Sequence, residues 1–581
     1  MNKFVKSILA ASVGSVLAVS GAQAAKYVVV DLGELPAQEF SYGIARNAVN
    51  EQVSTGNGSY NFPVLFENLS DNDFDAIELK AEREFELAFG LNDIEDSAAL
   101  RAGTPTANDL EWTIRYLAAI NNNSYQKVVD TVSYIDRGAG PEELVIFDQP
   151  FEGTDTLSRS TNDIVAGITD NGWVYGVATK PFLPLAFTQA DGDELTFYLN
   201  ESNRQAFLST DYGTTIKTIT PPEARYGGES GILDINGNYA VGFASVGIDP
   251  DILEIIERET DGGCSDPDIL DNQPKEACVQ NLRPNMYDIR PFIWTLDDNG
   301  DVVETNQLDL LVTPNAEDGR VFSAFVQAVN SSGVAVGYSH GWVDENETNP
   351  STNESRSFYA VIYKDGEVYD FTDDHGIEFE SRAFDINDAG IAVGHVNEFI
   401  EGVQREQFYY IDTNEETPAM VKPMGFFTGS ASSARSINEN GLIVGYAEYE
   451  NRNDNSSQPR RNHAFIYDIA AETFTDVNVL TACDSPYDIL EARHINEANQ
   501  IMASAVIKVP RKDAKGELVV DENGETLFED VVRHVRLDPV DGEIDECTPE
   551  EEGKVERQGA AFGSAGLLSM LLGLVLFRRR K

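Results

Sequence analysis

One phrase recurs along the chain and restricts its fold more than any other feature. "SINENGLIVGYAE" begins at Ser436, "DINDAGIAVGHVNE" at Asp385, "AVNSSGVAVGYS" at Ala328 and "GITDNGWVYGVA" at Gly167. The copies align on the apolar residue before a turn: Ile168, Val329, Ile386 and Ile437. Thr or Asn follows, then two glycines four residues apart: Gly172 and Gly176, Gly333 and Gly337, Gly390 and Gly394, Gly441 and Gly445. Three further copies are degenerate. Ile235-Asn236 reaches Gly242 one residue early. Ile495-Asn496 places Asn499 and Ala503 in the glycine slots, and Val49-Asn50 keeps only Gly56.

The pattern is that of a β-hairpin. An alternating segment ends at the apolar residue, a polar turn reverses the chain, and a second alternating segment leaves. Asn and Gly suit the turn because both accept positive φ. The second glycine lies inside the outgoing strand, where glycine marks a bulge or a close backbone approach. A second phrase follows the first: "RPFIWTLDDNGDVVE" from Arg290, "SFYAVIYKDGEVYDF" from Ser357, "QFYYID" from Gln407 and "HAFIYD" from His463. It reads as a third strand, a turn and a fourth strand. The last four pre-turn residues, at 329, 386, 437 and 495, are 57, 51 and 58 residues apart. Four-stranded units of that length, repeated, read as β-propeller blades.

The expected fold is therefore all-β: a β-propeller of seven four-stranded blades over residues 25–547. Six or eight blades follow if a degenerate copy is misread. A β-solenoid or two stacked propeller fragments are the open alternatives. Wider gaps hold two insertions. Residues 71–122 carry helical spacing in "DFDAIELKAEREFELAFG" and "DLEWTIRYLAAINN". Residues 248–288 form a polar insertion with two cysteines. "YVVVDL" from Tyr27 matches the end of a unit, so the N-terminal strand is expected to complete the last blade and remove its open edge.

Both ends of the chain read as targeting segments. Lys3 and Lys6 precede an apolar stretch, and Ala22-Gln23-Ala24 is a cleavage site of the small-x-small kind, giving a signal peptide over 1–24 cut between Ala24 and Ala25. The Sec export machinery is the implied partner. After an acidic and polar linker at 548–559, the tail at 560–581 has an uncharged stretch from Ala560 to Phe577 followed by "RRRK". Its 18 apolar and small residues just suffice to cross a bilayer. The basic cluster stays cytoplasmic, which puts the body outside the inner membrane. The expected location is periplasm, cell surface or medium, with one C-terminal membrane segment where the tail is retained.

Charge and cysteine content narrow the partners. The chain has 98 acidic and 42 basic residues, a formal charge of -56. Such a surface repels phosphate backbones and anionic lipid, so no nucleic-acid partner is expected. The four cysteines are Cys264, Cys278, Cys483 and Cys547. Export makes pairing the expectation. Of the three connectivities, Cys264–Cys278 and Cys483–Cys547 are favoured by proximity in the chain.

No reaction motif appears. His340, His375, His395, His463, His494 and His534 form no metal-binding pair, and there is no nucleophile elbow or phosphate loop. No catalytic residue is assigned and no cofactor is expected. Asp297, Asp298, Asn299 and Asp301 offer oxygen ligands at alternate positions, as calcium loops do, but lack the terminal Glu of a full loop. Asp521 to Glu525 does the same. Both also fit hairpin tips built from turn-forming residues.

"HAFIYD", "VVVDLGEL" and "ARSINENGLIVG" resemble the HAF-type extracellular repeats, in which an HAF strand precedes a D-L-G segment and an A-x-x-I-N-x-x-G-x-x-V-G hairpin. The whole chain resembles an uncharacterised family of gammaproteobacterial exported proteins. That resemblance implies repeats and export, and supplies no activity. "GSAGLLSMLLGLVLFRRRK" resembles a GlyGly-CTERM-type sorting tail, with Gly563-Ser564 where a tandem glycine stands in that type. This resemblance implies a rhomboid-type sorting protease as partner and delivery to the cell surface. The leading functional expectation is a non-enzymatic surface protein presenting loops to a protein or glycan. The alternatives are a carbohydrate-active enzyme with carboxylates at the channel and a periplasmic assembly protein docking through its helical insertion.

Overall fold

The computed structural model describes residues 26–400, 402–452 and 459–545. The signal peptide, the Ala24–Ala25 junction, Cys547, the linker and the C-terminal tail lie outside the described residues. The fold is all-β, and none of its sheets closes on itself. Its strands fall into seven antiparallel repeats. Repeat 1 is Gln38–Arg46, Gln52–Ser59, Val129–Asp136 and Pro141–Leu144. Repeat 2 is Ser160–Ile168, Val174–Ala178, Gln205–Ser209 and Lys217–Thr218. A short parallel pairing of Val129 with Ser160 joins these two into one eight-stranded sheet.

Repeats 3, 4 and 6 are plain four-stranded meanders beginning with Ser230–Asn236, Ala324–Val329 and Ser432–Ile437. Repeat 5 begins with Glu380–Ile386 and has three strands, with Val421 bridging to Tyr410 in the fourth place. Repeat 7 is Asp488–Ile495, Ile501–Pro510 and Phe528–Val540, and its fourth strand is Lys26–Asp31 from the start of the chain. Lys26 stands opposite Val540, and Asp31 opposite Val535. The first strand of each repeat touches the first strand of the next, and Asp488–Ile495 touches Gln38–Arg46, so these seven strands form a cycle.

The turn chemistry explains the recurring phrase. In all seven hairpins one residue is left-handed: Asn50, Gly172, Gly237, Gly333, Gly390, Gly441 and Asn499, with φ from 59° to 84°. This corrects the reading of the first copy. Asn47, not Asn50, opens that turn, with its N–H bonded to the Glu51 carbonyl; Asn50 fills the glycine slot. Ser54, not Gly56, then pairs with Gly43. Asn tolerates the left-handed region, so it stands in for either turn residue, and spacing alone mistook one for the other.

Each first strand also carries a β-bulge at the same place. The register skips Ile44, Ala166, Leu233, Gln327, Phe384, Arg435 and Arg493 in repeats 1 to 7. In repeats 2 to 6 the bulge demands the second glycine, whereas repeat 1 has Ser54 in that slot. A Cβ on Gly337 or Gly394 would stand 1.9 Å from the carbonyl oxygen of Phe325 or Arg382. Gly176, Gly242 and Gly445 meet the equivalent oxygens at 2.0–2.2 Å. Repeat 7, which has Ala503 in this slot, contains a second bulge at Leu490.

Apolar residues from neighbouring repeats pack between the sheets. Ala328, Val336 and Ile362 of repeat 4 meet Ala383, Ile386 and Tyr409 of repeat 5 in one buried cluster. The insertion at 71–122 contains helices Asp71–Glu84, Ser97–Arg101 and Ala107–Ala118, around Phe74, Ile77, Leu100 and Trp112. The insertion at 248–288 is also largely helical, in the short segments Pro250–Glu257, Pro267–Leu270 and Lys275–Leu282. The Cys264–Cys278 disulfide ties it together. Cys483 is disulfide-bonded too. Such bonds fit an oxidising compartment. A third insertion, the hairpin Leu183–Thr188 with Glu194–Leu199, was not anticipated. Among the described residues no helix is long and apolar enough to cross a membrane.

His463 of the HAF phrase clamps repeats 6 and 7. Its Nδ1 lies 2.7 Å from Asp476 and its Nε2 3.2 Å from Asp488, with the ring stacked 3.5 Å from Tyr449. Burial works against its charge, but the bonds to Asp476 and Asp488 outweigh it and hold its pKa up at about 9. A histidine raised in this way stabilises the fold fully below its unfolded pKa near 6.5, and the contribution is lost as pH rises through about 9. We therefore expect His463→Gln to be destabilised most at pH 6 and below. The gap to the wild type should close near pH 10, as urea melts across that range would show.

Candidate ligand site in the ring channel

The first strands of all seven repeats line a cavity of about 1150 Å³. All seven bulged residues line it. Ile44, Ala166 and Leu233 make an apolar wall on repeats 1 to 3, whereas Arg435 and Arg493 put two guanidinium groups side by side on repeats 6 and 7. A bulge breaks the strict inward–outward alternation of a strand and re-aims one side chain. That is how polar residues inside an apolar strand reach the channel.

The residues around the turns are joined by a relay of hydrogen bonds between repeats. Asn47 Nδ2 donates to the Thr169 carbonyl, and Asn387 Nδ2 to that of Asn438. Asn438 Nδ2 donates to the carbonyl of Asn496. The residue after each Asn extends the relay. The N–H of Ala48 donates to Asp170, that of Ser331 to Asp388, that of Asp388 to Glu439, and that of Glu439 to Glu497. Each such bond contributes about 1 kcal/mol, and more where a carboxylate accepts. The recurring "N-D/E" pair is thus a staple between neighbouring repeats.

Two further carboxylates sit deeper. Asp234 accepts from the Val329 N–H at 3.0 Å and from the Tyr175 hydroxyl at 3.2 Å. Asp385 accepts from the Ile437 N–H at 2.9 Å and from its neighbour Ile386 at 2.8 Å. Both line the cavity, where protein surrounds them even though water reaches them. Burial raises the pKa of Asp234. Burial, with the Asp234 carboxylate adding to it, pushes Asp385 up to about 6 against the pull of the Ile437 N–H.

The three arginines of the cavity differ in what they do. Arg46 uses all three of its nitrogens: Nε donates to Gln500, Nη1 to Gln52 and Nη2 to Asn50. Arg435 donates only its Nε, to Glu491 at 3.0 Å, while its plane lies 5.1 Å from both Phe384 and Tyr446. Arg493 approaches the same Glu491 oxygen at 3.7 Å, too far for a hydrogen bond. Burial and then Arg435 depress the Arg493 pKa, with Glu491 opposing. Beside it, His494 lines the cavity with a buried Nδ1 that has no hydrogen-bond partner. Burial lowers its pKa to about 4, so it is neutral at pH 7.

The residues singled out in the sequence fall elsewhere or act structurally. Gly172, Gly333, Gly390 and Gly441 sit in the turns around the channel, and Gly176, Gly337, Gly394 and Gly445 under the bulges. Asp297 Oδ1 accepts from the N–H groups of Asn299 and Asp301 at a hairpin tip. The Lys217 ammonium docks on the Asn299 carbonyl at 2.7 Å and on Asp301 at 2.6 Å, where a cation would go. Asp298 is exposed beside them. Asp521 repeats the same turn. Among the described residues no three His, Cys, Asp or Glu side chains gather to hold a metal. Sequence reasoning missed Arg435 and Arg493. The only signal was the first variable position of A-x-x-I-N, which is where the bulge falls.

Asp385 carries a pH signature. A carboxyl whose folded pKa is raised stabilises the protein below its unfolded value near ~4, and that stability is lost as pH rises through about 6. Asp385→Asn keeps an oxygen for the Ile437 N–H. We expect its stability to be flatter than that of the wild type between pH 4 and 6.5, measured by thermal melts.

Solved structures with similar chain paths are distant. A Pyrococcus horikoshii acylaminoacyl peptidase aligns at TM-score 0.31 and 12% identity, over 68% of this chain and 48% of that one. A puromycin-hydrolyzing peptidase of Mycobacterium tuberculosis aligns at 0.32 and 10%, over 71% and 50%. The chain thus spans about half the length of either. An ulvan lyase of polysaccharide lyase family PL25 aligns at 0.28 and 8%, over 62% and 77%. At these values none of them assigns an activity. No curated protein sequence matches the chain. The family model described as "Protein of unknown function (DUF3466)" matches residues 3–580, and the chain belongs to that family.

Proposed function

We propose that the seven repeats are the blades of a closed β-propeller, and that it serves as an exported, non-enzymatic binding module. Its channel seats the carboxylate of a partly apolar ligand between Arg435 and Arg493. One contrast carries this reading. The carboxylates of the channel are engaged in stapling repeats together, whereas among the described residues the terminal nitrogens of Arg435 form no hydrogen bond and Arg493 faces Glu491 at 3.7 Å. Two guanidinium groups sharing the Glu491 carboxylate make a local net positive charge on one side of a cavity whose lining also carries six carboxylates. Paired Arg forks match a planar carboxylate, and Ile44, Ala166 and Leu233, which also line the cavity, suit an apolar portion. Glucuronate and short uronic-acid oligomers are suitable probes. We expect Arg435→Ala and Arg493→Ala each to weaken binding about 10- to 100-fold in calorimetric titration. Equal binding by wild type and both variants would remove the channel from the reading.

The raised carboxyls Asp234 and Asp385 favour a second reading, a glycan-active enzyme with an acid and a base in the channel. It ranks lower because both groups already accept backbone and hydroxyl protons. Export rests on the N-terminal signal and sorting tail of the sequence, together with the disulfides. On this reading the Sec machinery delivers the chain and a rhomboid-type protease releases it to the surface. Intact mass of the purified protein should show loss of both the first 24 residues and the apolar tail. A retained tail in inner-membrane fractions would leave a periplasmic, membrane-anchored module, for which the exposed Leu87 and Phe89 of the helical insertion offer a docking face.

A further inference from the structure

A second cavity, of about 440 Å³, lies away from the channel, where three insertions meet. Asn121 to Ser124, at the end of the helical insertion, form one side. Leu195 and Phe197 of the unanticipated hairpin form the floor, and the disulfide-tied insertion supplies Ile269, Asn272, Gln273 and Asn281. In a chain that is 24% charged, not one lining residue carries a charge.

We propose that this cavity binds a neutral saccharide, independently of the channel ligand. The size fits: small-molecule sites run from about 300 Å³ upward. The chemistry fits as well. A ligand charge buried here would meet no counter-charge, so ions are disfavoured. Side-chain amides present a donor and an acceptor at one edge, which matches hydroxyl groups that both donate and accept. Several remain uncommitted. The Gln273 amide and Asn281 Nδ2 make no hydrogen bond among the described residues, nor do Asn122 Nδ2 and Asn272 Oδ1, which leaves donors and acceptors around an apolar floor.

The frame holding them is built and buried. Asn123 donates to Asn281 at 2.9 Å and to the Ala277 carbonyl at 3.1 Å, and accepts from Gln280 at 2.9 Å. Gln280 also donates to the Tyr198 carbonyl and accepts from the Asn200 N–H. Asn123 and Gln280 are both more than nine-tenths buried, so the rim amides sit on a fixed support. A peptide is a poorer occupant. The neighbouring strand Glu194–Leu199 has its Tyr198 N–H bonded to the Asn123 carbonyl and its Tyr198 carbonyl to Gln280, which shortens the edge a peptide could extend.

The test uses the full mature chain with cellobiose, maltose and N,N′-diacetylchitobiose as probes, followed by saturation-transfer NMR and titration. At least one should bind with a Kd of about 1 mM or tighter. Gln273→Ala and Asn281→Ala should each weaken it about 5- to 10-fold, for one lost hydrogen bond. Arg435→Ala should leave it unchanged, which separates this site from the channel. Leu195→Trp places a fluorophore on the floor, and its emission should respond to the bound probe even if the amide variants fold poorly. No binding of any of the three, a preference for a uronic disaccharide or a blocked dipeptide, or binding indifferent to Gln273, Asn281 and the Trp reporter would each overturn the proposal.

Discussion

The structure depends on one local constraint: a bulge in the first strand of every repeat, set three residues before a tight turn. The bulge brings a carbonyl so close to the facing strand that only glycine fits opposite it in five of the repeats. In the turn that follows, the Asn side chain reaches the next repeat and the acidic residue after it accepts an N–H from the preceding one. Hairpin geometry and ring assembly are therefore the same feature. A substitution at the glycine would damage both, because the strand pair and the staple share one backbone path.

The staple explains an apparent contradiction in composition. A chain with a formal charge of -56 crowds carboxylates around its own channel. Many of them accept backbone N–H groups of a neighbouring repeat. Bonding to such donors favours the charged form, while burial opposes it, and the balance differs by depth. Asp385, deep and close to Asp234, is pushed up to about 6, whereas Asp297, at an exposed hairpin tip, is held low by the N–H groups of Asp301 and Asn299. Acidity at the mouth is thus architectural, while among the described residues Arg435 keeps its terminal nitrogens, and His494 its Nδ1, without a hydrogen-bond partner.

The last sheet is completed from where the chain begins. The strand Lys26–Asp31 covers the edge of Phe528–Val540, and the pairing links residues more than 500 positions apart. Without it the last sheet would present open N–H and C=O groups. The insertions are placed where they do not disturb this ring. Two of them, with the extra hairpin, build a pocket of their own whose neutral lining has nothing in common with the channel.

The sequence by itself determined the repeat, the turn residues of most copies, two of the insertions and the strand that completes the last sheet. These rest on periodicity and on residues, Gly and Asn, whose backbone freedom is an intrinsic property. It also paired Cys264 with Cys278, since a short loop favours closure. Only the tertiary structure decided that Arg435 and Arg493 face the channel, that Asn47 opens the first turn, and that the Asp297 loop holds a lysine. The reason is physical. A one-residue bulge inverts which face a side chain takes, and spacing cannot register it. Lys217 meets Asp301 across 84 residues, a contact that exists only once two neighbouring repeats have packed.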